Sequence, residues 1–254
     1  MPPYADLAEE LAVDFESNPV DYVAEADLQA TLFGLARDRV NPTKATVQQP
    51  TLEGTAEDSF KRDYWKTAQE DLADAGEIHR VHTEVSVRKG ERLDIAVFEP
   101  ILSESIQWVS GGSKRFAESD LEAALELKFV KNKMSFPRRP GYTVSDLADE
   151  MPSVDRLLGR GTNEEPILDL SENKLRSDIE ELNELTAVDH RYLVIVSNNN
   201  YLYHAPTAAE TSEYRYGELY QRMGEAARVW LADNASDDVD VLYAHPRGSV
   251  WLTR

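Results

Sequence analysis

Cysteine is absent from the 254 residues, which excludes disulfides and thiolate metal sites alike. Histidine is scarce and scattered: His79, His82, His190, His204 and His245 show neither HxH nor HxxxH spacing. A histidine-built zinc site is therefore not expected. No apolar run approaches about 18 residues, so no spanning helix and no membrane partner are expected. The opening stretch, "MPPYADLAEELAVDFES", has neither a basic start nor an apolar core. It does not read as a secretory leader, and a cytoplasmic protein is expected.

Positive charge is also in short supply. Lys and Arg total 27 against 47 Asp and Glu, a formal net charge of −20, and only nine of the basic residues are Lys. With 41% hydrophobic residues the chain still has material for a core, so the acidity does not read as disorder. The pattern resembles proteins of a high-salt cytoplasm, where self-repulsion is screened over about 3 Å at 1 M salt. An ordinary acidic protein is the alternative. In low salt such a charge argues against a nucleic-acid partner; in strong salt that objection weakens.

The chain shows no internal repeat or low-complexity tract, and it reads as one domain over 1–254. Helices are predicted at 4–16, 21–39 and 56–75, with a loop or linker over 41–54. A strand-rich centre follows: 81–87 and 92–99 as an antiparallel hairpin about Lys89-Gly90-Glu91, then a largely buried strand, "LEAALELKFV", over 121–130. Residues 131–170 read as irregular, with a small helix after Ser145. A helix over 171–187 opens on Ser171 as N-cap, and 191–198 reads as a central strand. The last third adds a helix over 213–234 and two strands about the turn at 245–248. This interleaving predicts an α/β fold with a mixed central sheet flanked by helices.

Two strands carry charge where apolar residues belong. Asp94 interrupts "RLDIAVFE", and Glu126 and Lys128 share one face of "LEAALELKFV". If the two strands are neighbours, the three groups converge. Isolated buried charges cost several kcal/mol each, so such groups persist when paired or metal-bound. Two carboxylates side by side call for a cation between them. Hard oxygen ligands on a sheet suit Mg²⁺ (or Mn²⁺) with waters and phosphate oxygens, and Lys128 is suited to hold the attacking water.

Asp94 followed by Glu126-Leu127-Lys128, each in an apolar strand of a hairpin-plus-strand unit, resembles the PD-(D/E)xK nuclease superfamily. The residue before Asp94 is Leu93 rather than Pro. The resemblance implies a restriction-endonuclease-like core over 20–200, with 201–254 as a C-terminal extension. It implies Asp94 and Glu126 as metal ligands, the Leu127 carbonyl as a further ligand, and Lys128 as the catalytic lysine. It also implies an accessory acid from the first core helix. Glu25 fits, lying about 20° from Leu32 and Ala36 on the helical wheel, while Asp27 falls on the far side. Glu84 on the first hairpin strand is the rival. A polar residue near the phosphate is implied on the helix after the lysine strand, and Lys174 takes that role. A structural ion pair between Lys174 and Asp178 is the alternative.

From Leu127 to Ser145 the chain has no acid, and Lys131, Lys133, Arg138 and Arg139 follow the lysine strand beside Phe136 and Tyr142. This stretch suits a phosphodiester backbone with stacking aromatics, or else is a solvated basic loop. The expected activity is Mg²⁺-dependent phosphodiester hydrolysis of nucleic acid, DNA before RNA; a homodimer is left open. Two rivals remain: a nucleic-acid-binding module that kept the fold without turnover, and a protein-interaction domain.

Overall fold

The computed structural model describes residues 4–48, 52–53, 76–88, 90–104, 106–108, 114–130, 175–197, 231–246 and 248–254. Within these the chain is mixed α/β, as expected, with both parallel and antiparallel strand pairs. It divides into two compact units interleaved along the sequence. Unit 1 holds 1–7, 29–126 and 184–191; unit 2 holds 8–28, 127–183 and 192–254.

Helix α1 (Tyr4–Ser17) buries Tyr4, Leu7, Ala8, Leu11, Ala12 and Phe15, a stripe at helical spacing. Helix α2 (Glu25–Arg39) starts four residues later than the periodicity predicts. Pro19–Asp21 forms a separate 3₁₀ turn, and Asp27 Oδ2 accepts from the Val23 and Ala24 N–H groups, both at 2.8 Å. Asp27 thus serves as a reach-back cap for two orphan donors. Leu28, Leu32 and Ala36 are buried as the stripe predicts.

Six short strands escape the sequence pattern. The predicted loop over 41–54 contains β1 (Lys44–Val47) and β2 (Leu52–Glu53), and β3 (Glu77–His79) precedes the hairpin. After the hairpin come β6 (Ile101–Leu102), β7 (Ile106–Trp108) and β8 (Lys114–Arg115). They form two small sheets in unit 1, ordered β3-β1-β6 and β2-β7-β8. Val47 and Ile106 are buried together there, with Ile78 and Phe116 against them.

The predicted hairpin is present. Strand β4 (Val81–Val85) pairs antiparallel with β5 (Leu93–Phe98), and β5 pairs antiparallel with β9 (Leu121–Val130). Every residue of β5 is buried except Asp94, which is half-buried. Its two apolar rows are both covered.

Arg80 sits at the break between β3 and β4, 2% exposed. Its N–H donates to Thr43 O at 3.1 Å and its carbonyl accepts from Phe98 N at 2.8 Å. Its guanidinium donates to Phe98 O at 2.6 Å and pairs with Glu122.

In unit 2 the end of β9 is followed in order by β10 (His190–Ser197), β11 (Val239–His245) and β12 (Gly248–Thr253). All of β10 but His190 is buried, which accounts for its near-continuous apolar sequence. Helix α3 (Leu175–Glu184) buries Asp178, Ile179 and Leu182. The predicted helix over 56–75, the small helix after Ser145, the Ser171 cap and most of the helix over 213–234 lie outside the described residues. No helix among the described residues is long and apolar enough to cross a membrane.

Candidate active site

The pairing of β5 with β9 decides where the acids fall. Ile95 lies opposite Leu125 and Ala96 opposite Ala124. Continuing that register by one residue sets Asp94 opposite Glu126 on one face. Directly opposed residues of an antiparallel pair have Cβ atoms about 4.5–5.5 Å apart. The two strands are therefore neighbours in the register that the convergence of Asp94 and Glu126 requires. Glu126 is buried and Asp94 half-buried.

Glu84 stands at the corresponding place on β4. Thr83 pairs with Ile95 and Val85 with Leu93, so Glu84 faces Asp94 in sequence register. Its φ of 56° is the only left-handed backbone among the described non-glycine residues. It is exposed, and its carboxylate lies 3.9 Å from Arg92 Nη1. Between the two acids reaches Gln29 of α2, a residue that neither the apolar stripe nor the acidic pattern marks. Its Nε2 lies 3.1 Å from Glu84 Oε1, 3.0 Å from Asp94 O and 3.5 Å from Asp94 Oδ1.

In unit 2 Lys128 is buried, as the strand period predicts. Its ammonium lies 3.0 Å from Asp178 Oδ2 and 3.8 Å from Glu25 Oε2. Glu25 also accepts the Phe129 N–H at 3.0 Å, which fixes it to the strand beside the lysine. Glu25 thus meets the lysine in this unit. Asp178, in the first described turn of α3, pairs with Lys128, a contact that spacing along the chain does not indicate. Lys174 itself lies outside the described residues, as do Lys131, Lys133, Arg138 and Arg139.

The donor set of unit 1 fits an oxygen-preferring dication: two opposed carboxylates from neighbouring strands, one of them reaching solvent. Mg²⁺ is commonly held by one or two carboxylates together with waters and phosphate oxygens. Among the described residues no group of three or more His, Asp and Glu side chains is arranged to hold a metal ion. Leu127, whose carbonyl is the further ligand expected, lies between Glu126 and Lys128 with its side chain buried.

A second polar cluster of unit 1 went unread in the sequence. Buried Tyr4 bonds to Glu122, which Arg80 also pairs. Burial, then the Glu122 contact, pushes the Tyr4 phenol above its ordinary range. Burial, then the Glu122 charge, raises the Glu99 carboxyl. The cluster's short contacts are within the protein, and it has the character of a structural network. No protein-family model, curated protein or solved structure matches the chain.

Proposed function

We propose that this chain is a Mg²⁺- or Mn²⁺-dependent nuclease hydrolysing phosphodiester bonds, of DNA before RNA, on a restriction-endonuclease-like core in a cytoplasmic setting. The observation that carries the reading is the β5–β9 register, which brings Asp94 opposite Glu126. Lys128 follows two residues along the same strand, on the same face as Glu126.

In this mechanism Asp94 and Glu126 would hold the dication. When bound, it supplies charge stabilisation and a water of lowered pKa. The Lys128 ammonium, oriented by Asp178, donates to the attacking water or to a phosphate oxygen that gains charge in the transition state. Glu25 holds the backbone at Phe129 and keeps negative charge near the lysine. The acid-free basic stretch that follows β9 in sequence receives the phosphate backbone.

The test is calorimetry with Mn²⁺ together with cleavage of single-stranded, duplex, flapped and branched DNA. Wild type should bind Mn²⁺ and cleave. Asp94→Asn should lose the binding, and turnover should fall about a hundredfold or more. Equal Mn²⁺ binding by wild type and Asp94→Asn would remove the metal site.

The 3.0 Å contact of Lys128 with Asp178 favours a second reading, a nucleic-acid-binding relative without turnover, in which the lysine serves as a counter-ion. DNA binding in Ca²⁺ without cleavage in Mg²⁺ would select it.

A further inference from the structure

Gln29 is half-buried on α2, and its single amide nitrogen faces three oxygens of two acidic residues. That nitrogen carries two hydrogens. They are shared between the Asp94 carbonyl at 3.0 Å, Glu84 Oε1 at 3.1 Å and Asp94 Oδ1 at 3.5 Å. The side chain therefore holds the backbone carbonyl of Asp94 and ties it to Glu84 on the neighbouring strand, with the Asp94 carboxylate at the outer edge of hydrogen-bond reach.

The strand opposite is distorted at one residue only. Thr83 and Val85 keep their partners Ile95 and Leu93, while Glu84 between them adopts φ 56°. Such a conformation persists in a non-glycine residue when its surroundings over-determine it, and these cases gather at functional sites. Here the departure accompanies a Glu84 carboxylate within reach of Gln29. An amide suits the place chemically. It donates to both acids, yet carries no positive charge to compete with a cation at Asp94.

We infer that Gln29 is a positioning residue for Asp94, holding that carboxylate in the orientation in which it binds the dication, with Glu84 as the brace on the other side. This inference rests on the proposed metal role of Asp94. Groups that orient a ligating carboxylate cost about ten- to a hundredfold in metal affinity or activity when removed.

Mn²⁺ calorimetry on the full chain tests it, with a thermal melt of each metal-free protein. The proteins are wild type, Asp94→Asn and Gln29→Met, which keeps the length of the side chain and loses its donor. Gln29→Met should bind Mn²⁺ about ten- to a hundredfold more weakly with its melting temperature unchanged. If Asp94→Asn loses binding while Gln29→Met binds as wild type, the positioning role is overturned and the metal pair stands. A lowered melting temperature with wild-type affinity also overturns it, because Gln29 would then be a structural bond only. Equal binding by wild type and Asp94→Asn overturns both readings. Should Gln29→Met not fold, Gln29→Asn, which draws the amide back by one methylene, carries the same expectations.

Discussion

Replacing Lys128 with Met is the sharpest test of how the charged strand is held. The Lys128 side chain is 11% exposed, and Asp178, 3.0 Å away, is 9% exposed. Glu25, at 3.8 Å and 41% exposed, is well solvated and adds little. Removing the ammonium leaves Asp178 buried without this cation. Breaking a buried pair in this way costs about 3–5 kcal/mol. For a chain of this size each kcal/mol shifts the melting temperature by about 2–4 °C, so a fall of roughly 6–20 °C is expected. Urea denaturation should show a lower midpoint at constant slope. Replacing both partners, Lys128→Met with Asp178→Leu, should recover most of the loss, because an apolar pair of similar volume is often neutral. A single variant that melts like wild type, or a double variant that melts below the single, would refute the pairing argument. Turnover, measured per folded molecule, reports on catalysis separately.

Arg80→Met should destabilise by about 3–5 kcal/mol in urea, since Glu122 and the Phe98 carbonyl both lose a buried donor. Burial lowers the His82 pKa, so the folded protein favours the neutral ring while the unfolded chain binds a proton near 6.5. That contribution is complete above pH 6.5 and declines as pH falls through 6.5 towards the lowered value. His82→Gln should flatten the slope of stability with pH in that window. Tyr4 has the opposite sign: its phenol is raised from 10.0, so its contribution is complete below pH 10 and is lost as pH rises beyond it. Tyr4→Phe should remove that alkaline decline in a denaturation series.

The long elements were legible because burial repeats along them. Strand β10 reads as continuous apolar sequence, β5 and β9 as two rows, and α1 as a helical stripe, since each fills a core over several residues. Two- and three-residue strands such as β2, β6 and β8 leave no period to detect, and partners distant in sequence define them. The start of α2 differs from its periodicity because Asp27 works backwards as a cap, a role independent of the apolar stripe. At the site, the Asp94–Glu126 opposition was readable once the strands were taken as neighbours. The partner of Lys128 was not: nothing in the spacing of either element points to Asp178, which tertiary packing brings to it. Gln29 left one faint signal, a polar side chain one helical turn after Glu25.

Arg80 has a consequence for how unit 1 comes apart. The chain passes through this one residue from the small sheet containing β3 to the hairpin strand β4. Its main chain bonds to Thr43 just before β1 and to Phe98 at the end of β5. Fraying of the small sheet therefore strips hydrogen bonds from both sides of the junction at once. Amide hydrogens of β1 and of the Arg80 end of β5 should then exchange with solvent in a single cooperative step, as one foldon rather than two.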